Sequence, residues 1–434
     1  MNILLLISML LITIAAYYMS RKNILAPAVI ICAVFSLSSF FVTLNEKKWD
    51  FVISIDTFSY LIVAILLTLI GIYFGEKVKF TTRNCIRNQS AFSISSDIYI
   101  GSMWMIIISI ICLFIIYRYF QHQYSTSLSL GNSAGIVGMI YTLRSHVYDE
   151  EIFQLGIVLN IGISFMRASG FISLFLFMNM LVTKRKVGWR YIVPIIAIVI
   201  YNILTTGRSG FIGLICAILY NAYYCLQRKG YIIKPGKILK NTILGFVIFI
   251  ILFWQLGNLS GKSEVLTFWD TMSIYIGSSI LCFDTVIGNT DTYNFVGTNS
   301  FKGVYNILNT FGLDVTTVSN HLDKVRWNGY SSNVFTAFNP YYLDFGPILS
   351  LVVVVIVGFI IGIMWRKFQK EKDNIFICVM YGRFIALSAA MYSIAERLIS
   401  NTLALNAIVE IIFSILIIKT CIRKEHVRTK PDKN

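Results

Sequence analysis

The stretch Tyr191 to Tyr224, YIVPIIAIVIYNILTTGRSGFIGLICAILYNAYY, decides how the whole chain is read. Two apolar runs, Tyr191 to Leu204 and Phe211 to Tyr224, flank the hairpin Thr205-Thr206-Gly207-Arg208-Ser209-Gly210. As helices each run covers roughly 21 Å, against a bilayer core of about 30 Å, so each must borrow flanking residues or thin the bilayer locally. Either way Arg208 falls near a membrane face, where a full charge is a functional-site hypothesis. The hairpin glycines let the backbone approach a ligand closely.

The rest of the 434 residues has the same character, with 56% hydrophobic, 15% aromatic and 13% charged residues and a mean hydropathy of +0.72. A soluble globule carries about twice that charged fraction. The composition therefore predicts an all-α, polytopic integral membrane protein forming a single membrane domain over 1–434. Apolar runs place eleven spans near 2–19, 25–43, 51–75, 98–117, 152–182, 190–205, 209–225, 241–256, 347–365, 374–392 and 402–418. The segment 152–182 is either one strongly tilted helix or two helices broken at Gly170, and a break would invert everything upstream.

Charge supports the unbroken reading. Of 37 lysines and arginines, 25 fall in one alternate set of short connections and 10 in the other, with Arg167 and Arg383 inside spans. The positive-inside rule then puts the N-terminus outside and the basic tail, 419–434, in the cytoplasm. The net charge of +16 is mostly this topology signal. Basic residues dispersed over short loops suit an anionic leaflet and membrane lipids, and argue against nucleic acid. The run Ile3 to Met19 lacks a basic n-region and a cleavage site, so it reads as a span. The eight cysteines sit mostly in apolar helices and imply neither a disulfide framework nor zinc. No inverted repeat of the transporter kind is visible.

Length outside the membrane is concentrated on the external side, in segments of about 34 residues (118–151) and about 90 residues (257–346), and connections that long are usually functional. Within 257–346, Thr271 to Ile287 is apolar enough to lie along the membrane surface, and Phe301 to Phe311 reads as a short amphipathic helix. The loop is expected to form a lid over an external site. It ends in Ser332 to Gly346, SNVFTAFNPYYLDFG.

That ending, with its Asn-Val-aromatic-Thr-Ala-Phe start and Tyr-Tyr-Leu-Asp-Phe-Gly finish, resembles the Wzy-type bacterial O-antigen and capsule repeat-unit polymerases. The Thr-Gly-Arg-Ser-Gly hairpin at 206–210, the segment Tyr275 to Asp284 and the many-span architecture with one large external loop are similar to that family as well. O-antigen ligases share a similar arginine hairpin. The resemblance implies a fold like the membrane-embedded GT-C glycosyltransferases, in the bacterial inner membrane. It also implies transfer of a growing glycan from undecaprenyl pyrophosphate to the sugar hydroxyl of another lipid-linked repeat unit. Such an enzyme would act beside a flippase and a chain-length regulator and would need no cofactor. The alternatives are a ligase or a non-enzymatic flippase of lipid-linked oligosaccharide. The latter should distribute its buried charges along a pathway open to both faces.

The leaving group in such a reaction is a lipid pyrophosphate, which arginine suits because its planar fork binds phosphate oxygens bidentately and stays charged. Arg208 is the first candidate for that contact; its alternative is an interfacial arginine snorkelling to headgroups. Arg167, mid-span, either lines the site or pairs structurally with a buried acid such as Glu410. Arg397, beside Glu396, either serves the site or forms a local salt bridge or cap. Arg144 and Arg326 are loop candidates with a solvated surface role as the simpler alternative, and Arg383 reads as a topology anchor. The acceptor hydroxyl needs a base, for which His321, Asp344, Glu396 and Asp56 are candidates. Asp344 would otherwise cap a helix and complement its dipole. Tyr341 and Tyr342 are candidates for stacking on sugar rings, or are ordinary interfacial anchors. The acidic run Asp149-Glu150-Glu151 better complements a helix dipole than holds a metal, and no phosphate loop of the Gly-rich Lys-Ser/Thr kind occurs, so a metal-independent reaction is expected.

Overall fold

The computed structural model describes residues 1–78, 96–131, 135–145, 155–182, 188–205, 208–230, 245, 254–255, 267–289, 293, 295–313, 315, 324–371 and 374–426. In chain order the helices are α1 (Asn2–Met19), α2 (Pro27–Leu44), α3 (Glu46–Trp49), α4 (Ile55–Lys77), α5 (Ser102–Ser129), α6 (Gly135–Ser145), α7 (Ile157–Val182), α8 (Ile192–Leu204) and α9 (Arg208–Arg228). They continue with α10 (Phe268–Asn289), α11 (Lys302–Thr310), α12 (Asn339–Lys370), α13 (Ile375–Met391), α14 (Ile399–Thr402) and α15 (Leu405–Thr420). Two antiparallel ribbons complete the described residues: β1 (Ser96–Ile100) with β4 (Ile422–His426), and β2 (Val325–Trp327) with β3 (Tyr330–Ser332).

Eight of these helices are long and apolar enough to cross a membrane, and α8 and α13 are shorter apolar helices. The chain is thus a multi-pass, predominantly helical membrane protein. Ten of the eleven expected spans coincide with a described helix; the other, 241–256, lies almost wholly outside the described residues, as do Asp149 to Glu151. Gly170 does not break α7, which runs continuously from Ile157 to Val182. Pro27 opens α2 at its first turn, where a missing N–H costs nothing. Gly346 adopts φ 69°, so Asn339 to Phe345 forms a separate turn of helix and the span proper begins at Pro347, where the apolar run begins.

The helix ends define two faces. On one, the loop face, Asn2 donates through Nδ2 to the Phe51 carbonyl at 2.8 Å and accepts from the Ile53 N–H at 3.0 Å, tying the chain start to the α2–α4 connector. On the other, the basic face, β1 pairs with β4 and the Tyr224 hydroxyl donates to the Glu371 carbonyl at 2.9 Å.

Helix α10 is itself one of the eight, and both of its ends are tied at the loop face. Asp270 near its start is ion-paired with Lys48, and Asp284 near its end accepts from the Ser54 N–H at 3.0 Å, so both ends meet one short connector. Its middle reaches only to Ser38, whose hydroxyl donates to the Ile276 carbonyl. Helices α10 and α11 cover the segments Thr271 to Ile287 and Phe301 to Phe311.

The closest helix pair is α4 with α12. They run in the same direction with a constant offset: Tyr60 bonds Ser350 at 2.7 Å, and Arg366 donates to the Glu76 carbonyl. Between these contacts Gly71 and Gly75 face Gly358 and Gly362, so that a Cβ on Gly362 would overlap the Ile72 carbonyl and lie 2.9 Å from its Cα. Small residues four apart on both helices allow this backbone contact, which in lipid replaces hydrophobic driving force.

Candidate anion site at the loop face

Helices α9 and α13 pack antiparallel, and their register locates the hairpin arginine. The Cys378 thiol donates to Asn221 Oδ1 at 3.3 Å, Gly382 lies against Ala217, and Gly213 lies against Leu387. Each step up one helix matches a step down the other. Continued five residues further, the register brings Arg208, the first residue of α9, level with Tyr392 at the loop-face end of α13.

Around Tyr392 two segments of chain meet. The Ala337 N–H donates to the Tyr392 carbonyl at 3.0 Å, and the Phe338 ring packs 5.4 Å from the Tyr392 ring and 5.5 Å from Phe35. This seats the segment Ser332 to Tyr342 against residues 392–397. Within these two segments, Thr336 Oγ1, Asn339 Oδ1 and Arg397 Nε are buried without a hydrogen-bond partner among the described residues, whereas the Tyr341 and Tyr392 hydroxyls lie within reach of Glu396 and Thr68. Most buried polar atoms are paired, because leaving one unpaired costs about 1–3 kcal/mol. Three such atoms on two adjoining segments, one of them the Nε of an arginine, leave donors and acceptors that a polar, anionic ligand could satisfy.

Glu396 is not the partner of Arg397. Its carboxylate accepts the N–H groups of Leu398, Ile399 and Ser400 at 2.7, 2.8 and 2.8 Å, capping α14. It serves as a cap, one of the alternatives the sequence left open, and its oxygens are largely committed. Burial pulls the Arg397 pKa below its ordinary value, with the Glu396 charge opposing; arginine nonetheless stays charged in proteins. Tyr341 and Tyr392 both lie within range of the Glu396 charge.

Asp344 is fully buried and takes four hydrogen bonds, from the Asn299 N–H (3.1 Å) and Nδ2 (2.8 Å) and from the Ser300 N–H and Oγ (2.6 Å each). Its carboxylate is engaged by these donors rather than by the N–H groups of its own helix. It clamps the turn before α11 to the start of α12. Asp344→Ala should therefore lower the thermal unfolding midpoint, by about 3 kcal/mol or more in stability since several donors lose a charged acceptor. A catalytic base would instead give an inactive protein with an unchanged midpoint.

Deeper in the bundle, Glu410 of α15 (1% exposed) binds two arginines. Arg383 donates from Nε at 2.8 Å, and Arg167 of α7 approaches with Nε at 3.2 Å. The Arg383 guanidinium also lies 4.9 Å from the Phe171 and Phe384 rings. Arg383 is therefore buried and paired, which overturns its reading as a topology anchor. It sits in a π-helical turn, Tyr381–Ile385, a local widening that often marks functional positions. The pairing expected between Arg167 and Glu410 is present, shared with a second cation.

The remaining candidates are dispersed. Tyr341 and Tyr342 are buried, and Tyr342 is packed among Tyr60, Phe283 and Tyr293, so neither ring offers a face for a sugar. Asp56 is exposed on the first turn of α4, and Arg326 is exposed on β2. Arg144 lies on α6, and His321 lies outside the described residues. Among the described residues no group of three or more His, Cys, Asp or Glu is placed to hold a metal ion. A cavity of about 280 Å³ lined by Ile100, Trp189 and Arg190 opens on the opposite, basic face.

Sequence reading missed Thr336, Asn339 and Tyr392. Thr336 and Asn339 lie inside the quoted motif, where their polarity amid aromatic neighbours was the available signal. Comparison with known protein families, curated proteins and solved structures finds no match.

Proposed function

We propose that the protein is an integral-membrane glycosyltransferase that joins undecaprenyl-pyrophosphate-linked repeat units of a bacterial surface polysaccharide, with lipid pyrophosphate as the leaving group. The observation that supports this reading is that the register of α9 against α13 puts Arg208, the first residue of α9, at the same helix-end level as the segments that hold the buried, unpartnered Arg397 Nε, Thr336 Oγ1 and Asn339 Oδ1. Cations prearranged in a dry site stabilise charge as the sugar–phosphate bond breaks far better than the same groups in water. In this reading the loop face is external, the N-terminus is external and the tail cytoplasmic, and α10 and α11 belong to the lid. The reaction uses no metal.

The test is the surface-glycan length distribution of cells lacking the gene, run beside the complemented strain. Single repeat units on the lipid core in place of a ladder support the polymerase. Bare core with long polymer held on the carrier lipid would make the protein a ligase, and bare core with single lipid-linked units trapped inside would make it a flippase.

A further inference from the structure

Two arginines on one carboxylate leave the Arg167–Glu410–Arg383 group with an excess positive charge among apolar helices. Such a charge is costly in lipid unless an anion balances it. The two cations are not equivalent. Arg383 is 8% exposed at its side chain and held at two points by Glu410, whereas Arg167 is 24% exposed and approaches Glu410 with Nε at 3.2 Å, with no hydrogen bond to it among the described residues. Among the described residues the terminal nitrogens of Arg167 have no hydrogen-bond partner, and they are not buried. Its fork is thus pinned at the base and open at the tip, the geometry for bidentate binding of a phosphate group. Among the described residues no other charged group pairs with it, and Tyr201 on α8 is a neighbouring polar side chain.

We infer that Arg167 is a second phosphate-binding residue, taking a phosphate or pyrophosphate carried by a lipid, and that Arg383 is a positioning residue that acts through Glu410. Arg383 lies beside Gly213, five residues along α9 from Arg208, so the group is recessed about 7.5 Å below the loop-face cluster. An anion reaching that depth between apolar helices arrives attached to an apolar chain. Joining two lipid-linked units requires two lipid pyrophosphates, and Arg167 provides for the second; that last identification rests on the proposed function, whereas the phosphate site does not.

Arg167→Ala is a clean probe, because it leaves Glu410 and Arg383 as a neutral pair. Native mass spectrometry of the purified protein in detergent, with added undecaprenyl pyrophosphate, is expected to show two lipids bound per chain, and one in Arg167→Ala at an unchanged thermal midpoint. Arg383→Lys, which keeps the charge but loses the fork holding Glu410, should weaken the second binding without removing it. Two lipids retained by Arg167→Ala, or a lowered midpoint with unchanged binding, would overturn the site. So would displacement of the second lipid by inorganic pyrophosphate alone. Phosphatidylglycerol filling the Arg167-dependent position equally well would keep the phosphate site and make its occupant a bilayer headgroup. Loss of one lipid in Arg167→Ala alongside a normal glycan ladder in the Arg208→Ala strain would sustain the site and remove the polymerase reading.

Discussion

Arg208→Ala and Arg208→Lys, and likewise Arg397→Ala, should each abolish polysaccharide chain growth, leaving single repeat units on the lipid core while protein abundance stays constant. Removing one preorganised charged donor from a low-dielectric site typically costs about 10²–10³ in rate. A processive reaction slowed by that factor yields no visible ladder. Lysine at 208 keeps the charge but not the planar fork, and as a compact point charge it cannot grip two phosphate oxygens at once. Near-normal chains in Arg208→Lys would therefore exclude bidentate recognition. Arg397 carries the same expectation for a different reason. Its Nε is buried and unpaired, so it is held in the folded protein at a cost in stability. Arg397→Met, of similar length and uncharged, should accordingly be inactive yet no less stable. A lower melting temperature would instead make Arg397 a structural residue.

The second large effect is on stability. Gly75→Leu or Gly362→Leu should destabilise the protein by at least about 3 kcal/mol, seen as a lost or sharply lowered unfolding transition in detergent, because the added atoms meet backbone that cannot swing aside. Even alanine places a Cβ 2.8 Å from the Ile363 nitrogen at Gly75. The control is Gly288→Ala in α10, where a Cβ meets nothing within 4 Å; it should be neutral or slightly stabilising through helix propensity. A stable Gly75→Ala would show that α4 and α12 do not pack at backbone contact.

These two experiments address features that were unequally legible. The spans were readable because apolar length is a local property: the segments around α1, α2, α4 and α7 declare themselves residue by residue. The left-handed Gly346 before Pro347 likewise marks where α12 enters its span. The glycine pairs at 71, 75, 358 and 362 were visible as letters, but nothing in the sequence says that helices 290 residues apart lie side by side. Asp344 shows the same limit. A carboxylate after two tyrosines is equally a base, a cap or a clamp until the Asn299–Ser300 turn is seen folded onto it.

What the sequence determined by itself is the class of molecule, the helical segments, the charge asymmetry between alternate loops and the pool of arginines and acids from which a site must be drawn. Those follow from composition and from short-range periodicity, which the bilayer enforces on every residue it touches. Only the tertiary structure decided which members of the pool meet. It joined Arg383 and Arg167 to one Glu410, left Arg397 Nε without a hydrogen-bond partner among the described residues, brought Arg208 level with Tyr392 and buried Tyr341 and Tyr342. Pairing between charges depends on which helix faces which and at what depth. That is fixed by packing between segments remote in the chain, and no local pattern encodes it.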